Sequence, residues 1–363
     1  MPLSRVRITT LRCLREAELE LDSRRNYIYG PNGAGKTSLL EGVFVLGRGR
    51  SFRTRQMRRL VRHGEDGFAV FGEVAVDGLA RRLGVAYRAG RLEKKVDGQP
   101  AVGMAQLASL LPVHAIDPSM HAIVEGGPSE RRRFLDWGVF HVEPGYLDAW
   151  KSYRRVLSQR NAALKRSATS AELRPWSAAL AEAGVAVDES RRRYLERLAP
   201  LVDEFGRRLL DRPLKLEYRR GWVPEQRLDE LLAASEPRDR QNGSTEAGPH
   251  RAEIVLRLDE RRVQDEASRG QQKLTAAALI LSQVAVESAE RPQRSVLLVD
   301  DPAAELDASS LERLMSAIAD LPAQIVFTAL TPKHLVPDSG FPTFHVERGE
   351  VRSYTVTSAF RDR

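Results

Sequence analysis

The sequence predicts an α/β fold in which one sheet-containing head is interrupted by a helical lobe. Three observations point there. Period-two alternation of apolar and polar residues recurs near both ends of the 363-residue chain. Between them, from Ser129 to about Leu210, the pattern turns helical and strongly charged. After that stretch short apolar strands return, now alternating with helices, as in a parallel sheet.

Taken in order, "LSRVRITTL", "LREAELEL" and "RNYIYG" read as three short strands before residue 30. "GKTSLLEGVFVLG" reads as a helix. "GFAVFGEVAVDG", "RRLGVAYRAG" and "RLEKKVDGQP" read as an antiparallel meander with glycine-containing turns. The helical lobe carries Tyr146, Trp150, Tyr153 and Leu157 on one face of a first helix. A second helix carries Val187, Tyr194, Leu198, Leu201, Phe205 and Leu209. "SEPRDRQNGSTEAG", residues 235–248, is expected to be a mobile polar loop. "AEIVLRLDE", "SVLLVDD" and "AQIVFTAL" are the returning strands. The expected division is a head of 1–128 and 212–363 and a helical insertion of 129–211; no internal repeat is present.

Lysine and arginine exceed aspartate and glutamate by 57 to 49, a formal +8 that favours a polyanionic partner. Cys13 is the single cysteine, which excludes an internal disulfide or a thiolate zinc site. No apolar run approaches membrane-spanning length, and "MPLSRVRITTLRC" lacks a signal-peptide core. A cytoplasmic protein without a membrane partner is the expectation.

Gly30-Pro31-Asn32-Gly33-Ala34-Gly35-Lys36-Thr37, followed by Ser38, is a full G-x-x-x-x-G-K-T match between an apolar strand and an amphipathic helix. Glycines let successive N–H groups wrap phosphates, and the helix start adds a favourable dipole. ATP is the expected ligand. Lys36 would reach its β- and γ-phosphates, and the Thr37 hydroxyl would ligate Mg2+.

"RSVLLVDDPAAELD" supplies acids. The apolar run Val296–Val299 ends in Asp300 and Asp301, and a buried parallel strand delivers such residues to its C-terminal edge. Asp300 is the candidate Mg2+ ligand, direct or through water. Asp301 is the candidate group that polarises an attacking water. Asp307 is an N-cap or a contact across an interface.

The order of phosphate loop, "ASRGQQKL" and "LLVDDPAAELD" resembles the ATP-binding-cassette ATPases. In that class Ser-x-Gly-Gln is the signature motif, which binds the γ-phosphate held by a partner subunit. The resemblance thus implies that Ser268, Arg269, Gly270, Gln271 and Gln272 act in trans within an ATP-dependent homodimer. Over nearly its whole length, through "GPNGAGKTSLLEG", "GRGRSFRT", "GGPSERRRFLDWGVF" and "AGPHRAEI", the chain is similar to the RecF family. The implied fold is an ATP-binding-cassette (P-loop NTPase) head of SMC/RecF type with an inserted helical lobe. Ala252-Glu253 depart from the family's usual paired acids after "GPHR", and Arg269 and Lys273 depart from its usual "SQGQQR". Thr328 stands where transporter cassettes place a histidine.

The family implies recombinational repair, replication restart at gaps and the SOS response. It implies binding of double-stranded DNA and of single-strand/double-strand junctions, RecO and RecR as partners, and slow DNA-stimulated ATP hydrolysis. Arg48, Arg50, Arg53 and Arg55 are the candidate DNA contacts, through sequence-independent phosphate binding. The arginine runs 131–133 and 191–193 are expected to pair with acids such as Glu130 and Asp136, a structural role. A transporter ATPase subunit and an ATP-binding scaffold with little turnover are the alternatives.

Overall fold

The computed structural model of the chain describes residues 3–292, 294–331 and 341–355. They fall into two units, Met1–Met120 with Glu287–Arg363, and His121–Val286. The second unit includes the stretch the sequence sets apart as 129–211, and also the three-stranded sheet that follows it.

The first unit opens with β1 (Leu3–Leu11), β2 (Leu14–Glu20), β3 (Arg25–Tyr29) and α1 (Lys36–Arg48). Leu3, Val6 and Ile8 of β1 point inward, while Arg5 and Arg7 pair across the outer face with Glu18 and Glu16. The meander follows as β4 (Gly67–Val76), β5 (Leu79–Arg88), β6 (Arg91–Val96) and a short β7 (Gln99–Pro100), then α2 (Met104–Leu110) and β8 (Val113–Ile116). These strands make an antiparallel sheet of order β2-β1-β4-β5-β6-β7. Helix α1 lies in the core against it, with Leu39, Leu40, Val43, Phe44, Val45 and Leu46 each at most 4% exposed. Two small residues permit that depth. A Cβ at Gly42 would stand 2.5 Å from Ile8, and one at Gly47 would stand 2.7 Å from the Leu111 carbonyl oxygen.

The second unit comprises α3 (Ala122–Glu125), α4 (Pro128–Val142), α5 (Tyr146–Lys165), the long α6 (Ser170–Leu210), β9 (Leu214–Arg219), α7 (Leu228–Ala234), α8 (Glu236–Asn242), β10 (Glu253–Leu258), β11 (Arg261–Arg262), α9 (Val263–Glu266) and α10 (Arg269–Glu290), whose last residues belong to the first unit. Tyr146, Tyr153 and Leu157 of α5 and Val187, Tyr194, Leu198, Phe205 and Leu209 of α6 are buried, as their spacing predicts. Trp150 and Leu201 lie half-buried at the edges, and Val202 takes an inward place on α6.

Segment 235–248 is a correction: instead of a mobile loop it forms α8 and a tightly held turn. The cause is Arg160 of α5, whose fully buried guanidinium donates to Asp239 Oδ2 (2.7 Å) and Thr245 Oγ1 (2.7 Å). A buried charge needs such partners, and it orders the polar segment that supplies them. The arginine runs are likewise held within this unit. Arg131 bonds both carboxylate oxygens of Glu253 at 2.8 and 2.9 Å, and Arg132 donates to the Ala252 carbonyl at 2.7 Å. Arg133 meets Glu130 at 2.6 Å, and Arg191 meets Asp136 at 2.7 Å. The departing pair Ala252-Glu253 is thus the anchor for the start of α4.

The chain then completes the first unit with β12 (Val296–Asp300), α11 (Ala308–Ala319), β13 (Gln324–Ala329), β14 (Pro342–Glu347) and β15 (Glu350–Thr355). They join β3 and β8 in a second sheet of order β15-β14-β3-β13-β12-β8, parallel except for the β14–β15 hairpin.

Candidate active site

In that sheet β3, β13 and β12 are neighbours and parallel, so their C-terminal ends reach one edge together. A crevice at such an edge is where α/β sheets bind ligands. The phosphate loop leaves the end of β3 and opens α1. At Gly30, φ is 154° and a Cβ would lie 2.1 Å from the Val346 carbonyl oxygen, so the loop fits against β14 only because the side chain is absent. Gly33 has φ 78° and open space where its Cβ would be, which leaves the face of the loop clear for a ligand. Pro31, Asn32 and Gly33 are exposed along that face, whereas Ala34, Gly35, Lys36 and Ser38 are buried. The hairpin also buttresses the loop, since Gly349 N–H donates to the Ala34 carbonyl at 2.8 Å.

Lys36 folds back into this loop, its ammonium donating to the carbonyl oxygens of Gly30 (2.6 Å) and Pro31 (3.1 Å). Burial lowers its pKa, and the nearby charges of Asp301 and Asp300 oppose that shift. Thr37 Oγ1 donates to Asp300 Oδ1 at 3.0 Å. The same carboxylate oxygen accepts from Thr328 Oγ1 at 2.8 Å, while Asp301 N–H donates to Thr328 Oγ1 at 2.9 Å. Burial pushes the Asp300 carboxyl up, and the two hydroxyl hydrogen bonds act against it. Asp301 itself is half-buried with φ 41°, a left-handed conformation rare for a residue with a side chain.

These residues fit a magnesium–triphosphate. The loop offers backbone N–H groups on a face that glycine keeps open, and Lys36 brings a positive charge to it. Thr37 Oγ1 and Asp300 Oδ1 form a hydroxyl–carboxylate pair of hard oxygens. Mg2+ takes such a pair together with phosphate and water oxygens.

Asp307 caps α11, accepting from Ser310 N–H at 2.9 Å, Ser309 Oγ at 2.8 Å and Ser310 Oγ at 2.7 Å. These hydrogen bonds hold its carboxyl well below the usual carboxylate range. Ser268, in the second unit, precedes α10. Its Oγ accepts from Gln271 N–H (3.3 Å) and its own N–H donates to Gln271 Oε1 (2.9 Å), a reciprocal capping box. Ser268, Arg269 and Gly270 are exposed, Gln271 is half-buried, and Gln272 is buried with its amide on the Ala267 carbonyl. Among the described residues, a Cβ at Gly270 would meet nothing nearer than Ser268 Oγ at 3.9 Å. Packing inside the chain therefore gives no reason for the glycine.

The four arginines proposed for phosphate contacts differ. Arg48 is turned inward, donating to the Val113 carbonyl at 2.9 Å and lying 5.4 Å from the Phe44 ring centroid. Arg50 and Arg55 are exposed. Arg53 is exposed and 3.9 Å from Glu41. Sequence reasoning passed over Glu41, which is fully buried on α1. It is bonded by Arg12 through two nitrogens at 2.9 and 3.0 Å and by the Ser51 hydroxyl. A single carboxylate within the apolar run "LLEGVFVLG" was the available signal. It ties the β1–β2 turn and segment 51–54 to the phosphate-loop helix.

The model of the RecF/RecN/SMC N terminal domain matches residues 2–343. A DNA replication and repair protein RecF of Thioalkalivibrio sulfidiphilus is 42% identical over 360 residues, covering 97% of this chain and 99% of that protein. The chain belongs to the RecF family. RecF of Azotobacter vinelandii is 40% identical over 359 residues, with 97% of this chain and 98% of that one covered. Among solved structures, the recombination mediator protein RecF-ATP in the RecFOR pathway superposes with a TM-score of 0.86 at 27% identity, over 97% of each chain. An Smc head bound to the C-winged helix domain of ScpA has a TM-score of 0.62 at 13% identity, over 99% of this chain and 100% of that one. That likeness is one of fold alone. No described helix is long and apolar enough to cross a membrane.

Proposed function

We propose that this RecF-family protein is an ATP-dependent DNA-binding protein of recombinational repair and replication restart. Two copies close around two molecules of ATP and grip duplex DNA near single-strand gaps, and slow hydrolysis resets them. The observation that carries the proposal is the meeting of Thr37, Asp300, Asp301 and Thr328 at the sheet edge that holds the glycine loop. When bound, Mg2+ would screen the β- and γ-phosphate charge and align it for in-line displacement. Lys36 would exchange its carbonyl partners for phosphate oxygens, and Asp300 and Thr37 would hold the metal. Asp301 would accept a proton from the attacking water. Ser268 and Gly270 support a trans role because both are exposed at a helix start, where N–H groups favour an anion.

The formal charge of +8 supports a polyanionic partner. Similarity to RecF relatives and to the RecF-ATP structure of the RecFOR pathway supports a place beside RecO and RecR in recombinase loading and the SOS response. The test is ATP binding, hydrolysis and DNA release by Lys36→Ala and Asp301→Asn. Lys36→Ala should lose ATP binding. Asp301→Asn should bind ATP and DNA but hydrolyse ATP at least about tenfold more slowly, with DNA retained longer. Unchanged DNA release by Asp301→Asn would favour a scaffold that hardly turns ATP over.

A further inference from the structure

One hydroxyl sits between the two acids of the site. Thr328 Oγ1, fully buried at the end of β13, has one proton, and Asp300 Oδ1 at 2.8 Å receives it; its lone pair accepts from Asp301 N–H at 2.9 Å. The Thr328 side chain thus fixes the carboxylate of one acid and the backbone of the next. Asp301 needs that restraint because its φ of 41° is a conformation the chain does not hold without partners. The parallel register sets Thr328 directly beside Asp300, so the contact follows from strand pairing and not from loop placement.

We propose that Thr328 is a positioning residue for hydrolysis, holding Asp300 toward the metal and Asp301 toward the attacking water through one hydrogen-bonded relay. This rests on the ATP-hydrolysing function proposed above. The Thr328 hydroxyl acts on the two acids, one through its proton and one through its lone pair. Valine has the same shape but neither donates nor accepts. It would leave a buried carboxylate with one hydroxyl fewer and the Asp301 N–H without its partner.

The test compares Thr328→Ser with Thr328→Ala, which differ by one hydroxyl, and with Thr328→Val, which keeps the volume. Two readouts are needed: the Mg2+ concentration that half-saturates binding of a non-hydrolysable ATP analogue, and the single-turnover rate with ATP. Thr328→Ala should raise the Mg2+ requirement and lower the rate, each by about tenfold, the equivalent of one buried hydrogen bond. Thr328→Ser should stay within about threefold of the wild type in both. Affinity for the analogue without Mg2+ should not change, because the loop and Lys36 are untouched; a parallel loss there would mean a merely structural role. Equal behaviour of the Ser and Ala variants would overturn the proposal. If Thr328→Ala does not fold, Thr328→Val takes its place in the comparison. A wild-type protein that binds Mg2+ and the analogue but never hydrolyses ATP would overturn the hydrolysis function instead.

Discussion

Gly270→Gln separates the two possible uses of the glycine in "ASRGQQKL". Among the described residues a Cβ at this position meets only Ser268 Oγ, at 3.9 Å, so a side chain enters open space. The residue lies in the first turn of the 22-residue helix α10, where replacing glycine lowers backbone freedom in the unfolded chain. From helix propensities the isolated chain should gain roughly 0.5 kcal/mol. At a nucleotide held by a second copy the effect reverses, because the new side chain stands between the helix N–H groups and the phosphate. Losing one charge-assisted hydrogen bond costs about 1.5–3 kcal/mol. A two-fold dimer uses the contact twice, for about 3–6 kcal/mol. That is at least about a hundredfold in the dimer constant. The assay is sedimentation with a non-hydrolysable ATP analogue, beside a thermal melt without nucleotide. A lower melting temperature would show that Gly270 serves internal packing. Dimerisation within about threefold of the wild type would show that nothing approaches it.

Three further outcomes follow from the same contacts. Arg160→Met strands Asp239 without its cation in a fully buried site, and should cost about 3–5 kcal/mol. It should open segment 235–248 to proteolysis, and intact protection in a limited digest would contradict this. His250 uses both ring nitrogens, one with Tyr153 Oη at 2.5 Å and one with the Thr245 carbonyl at 2.9 Å, and burial lowers its pKa. Its folded pKa lies below the unfolded value near 6.5, so its contribution is intact above that pH and is lost as pH falls toward the folded pKa. Urea melts should show a smaller decline between neutral pH and pH 5 in His250→Gln than in the wild type. Equal declines would remove His250 from the acid response. Replacing exposed Arg50 and Arg55 by glutamine should weaken DNA binding alike for all sequences and reduce the salt slope by about one each. An unchanged slope would place the DNA elsewhere.

The parts of the molecule that follow from local pattern were legible before any coordinates. Residues 30–35 had to form a glycine-rich loop because a strand precedes them and a helix follows. Asp300 had to stand at the sheet edge because four apolar residues carry the strand there. The helical faces around Tyr153 and Tyr194 were readable from spacing alone. What escaped depends on partners remote in sequence. Segment 235–248 looks like a loop until Arg160, 79 residues before Asp239, is seen buried and in need of an anion. Arg48 reads as a surface cation because it opens the arginine-rich stretch "RGRSFRTR", yet its guanidinium is taken by the Val113 carbonyl, 65 residues on. Thr328 could be placed by position, but its link to both Asp300 and Asp301 is a matter of strand register, which no single strand reveals.

The trans role of the α10 start is tested most directly by Ser268→Arg. ATP-dependent dimerisation and duplex DNA binding should be measured together with ATP binding by the same protein. An arginine here removes the cap hydroxyl and fills the exposed face beside Gly270, while Lys36, Thr37 and Asp300 are unaltered. The expected result is normal ATP binding with dimerisation and DNA binding lost together. A variant that still dimerises and holds DNA when ATP is added would contradict the proposal that Ser268–Gln272 closes on a partner's nucleotide.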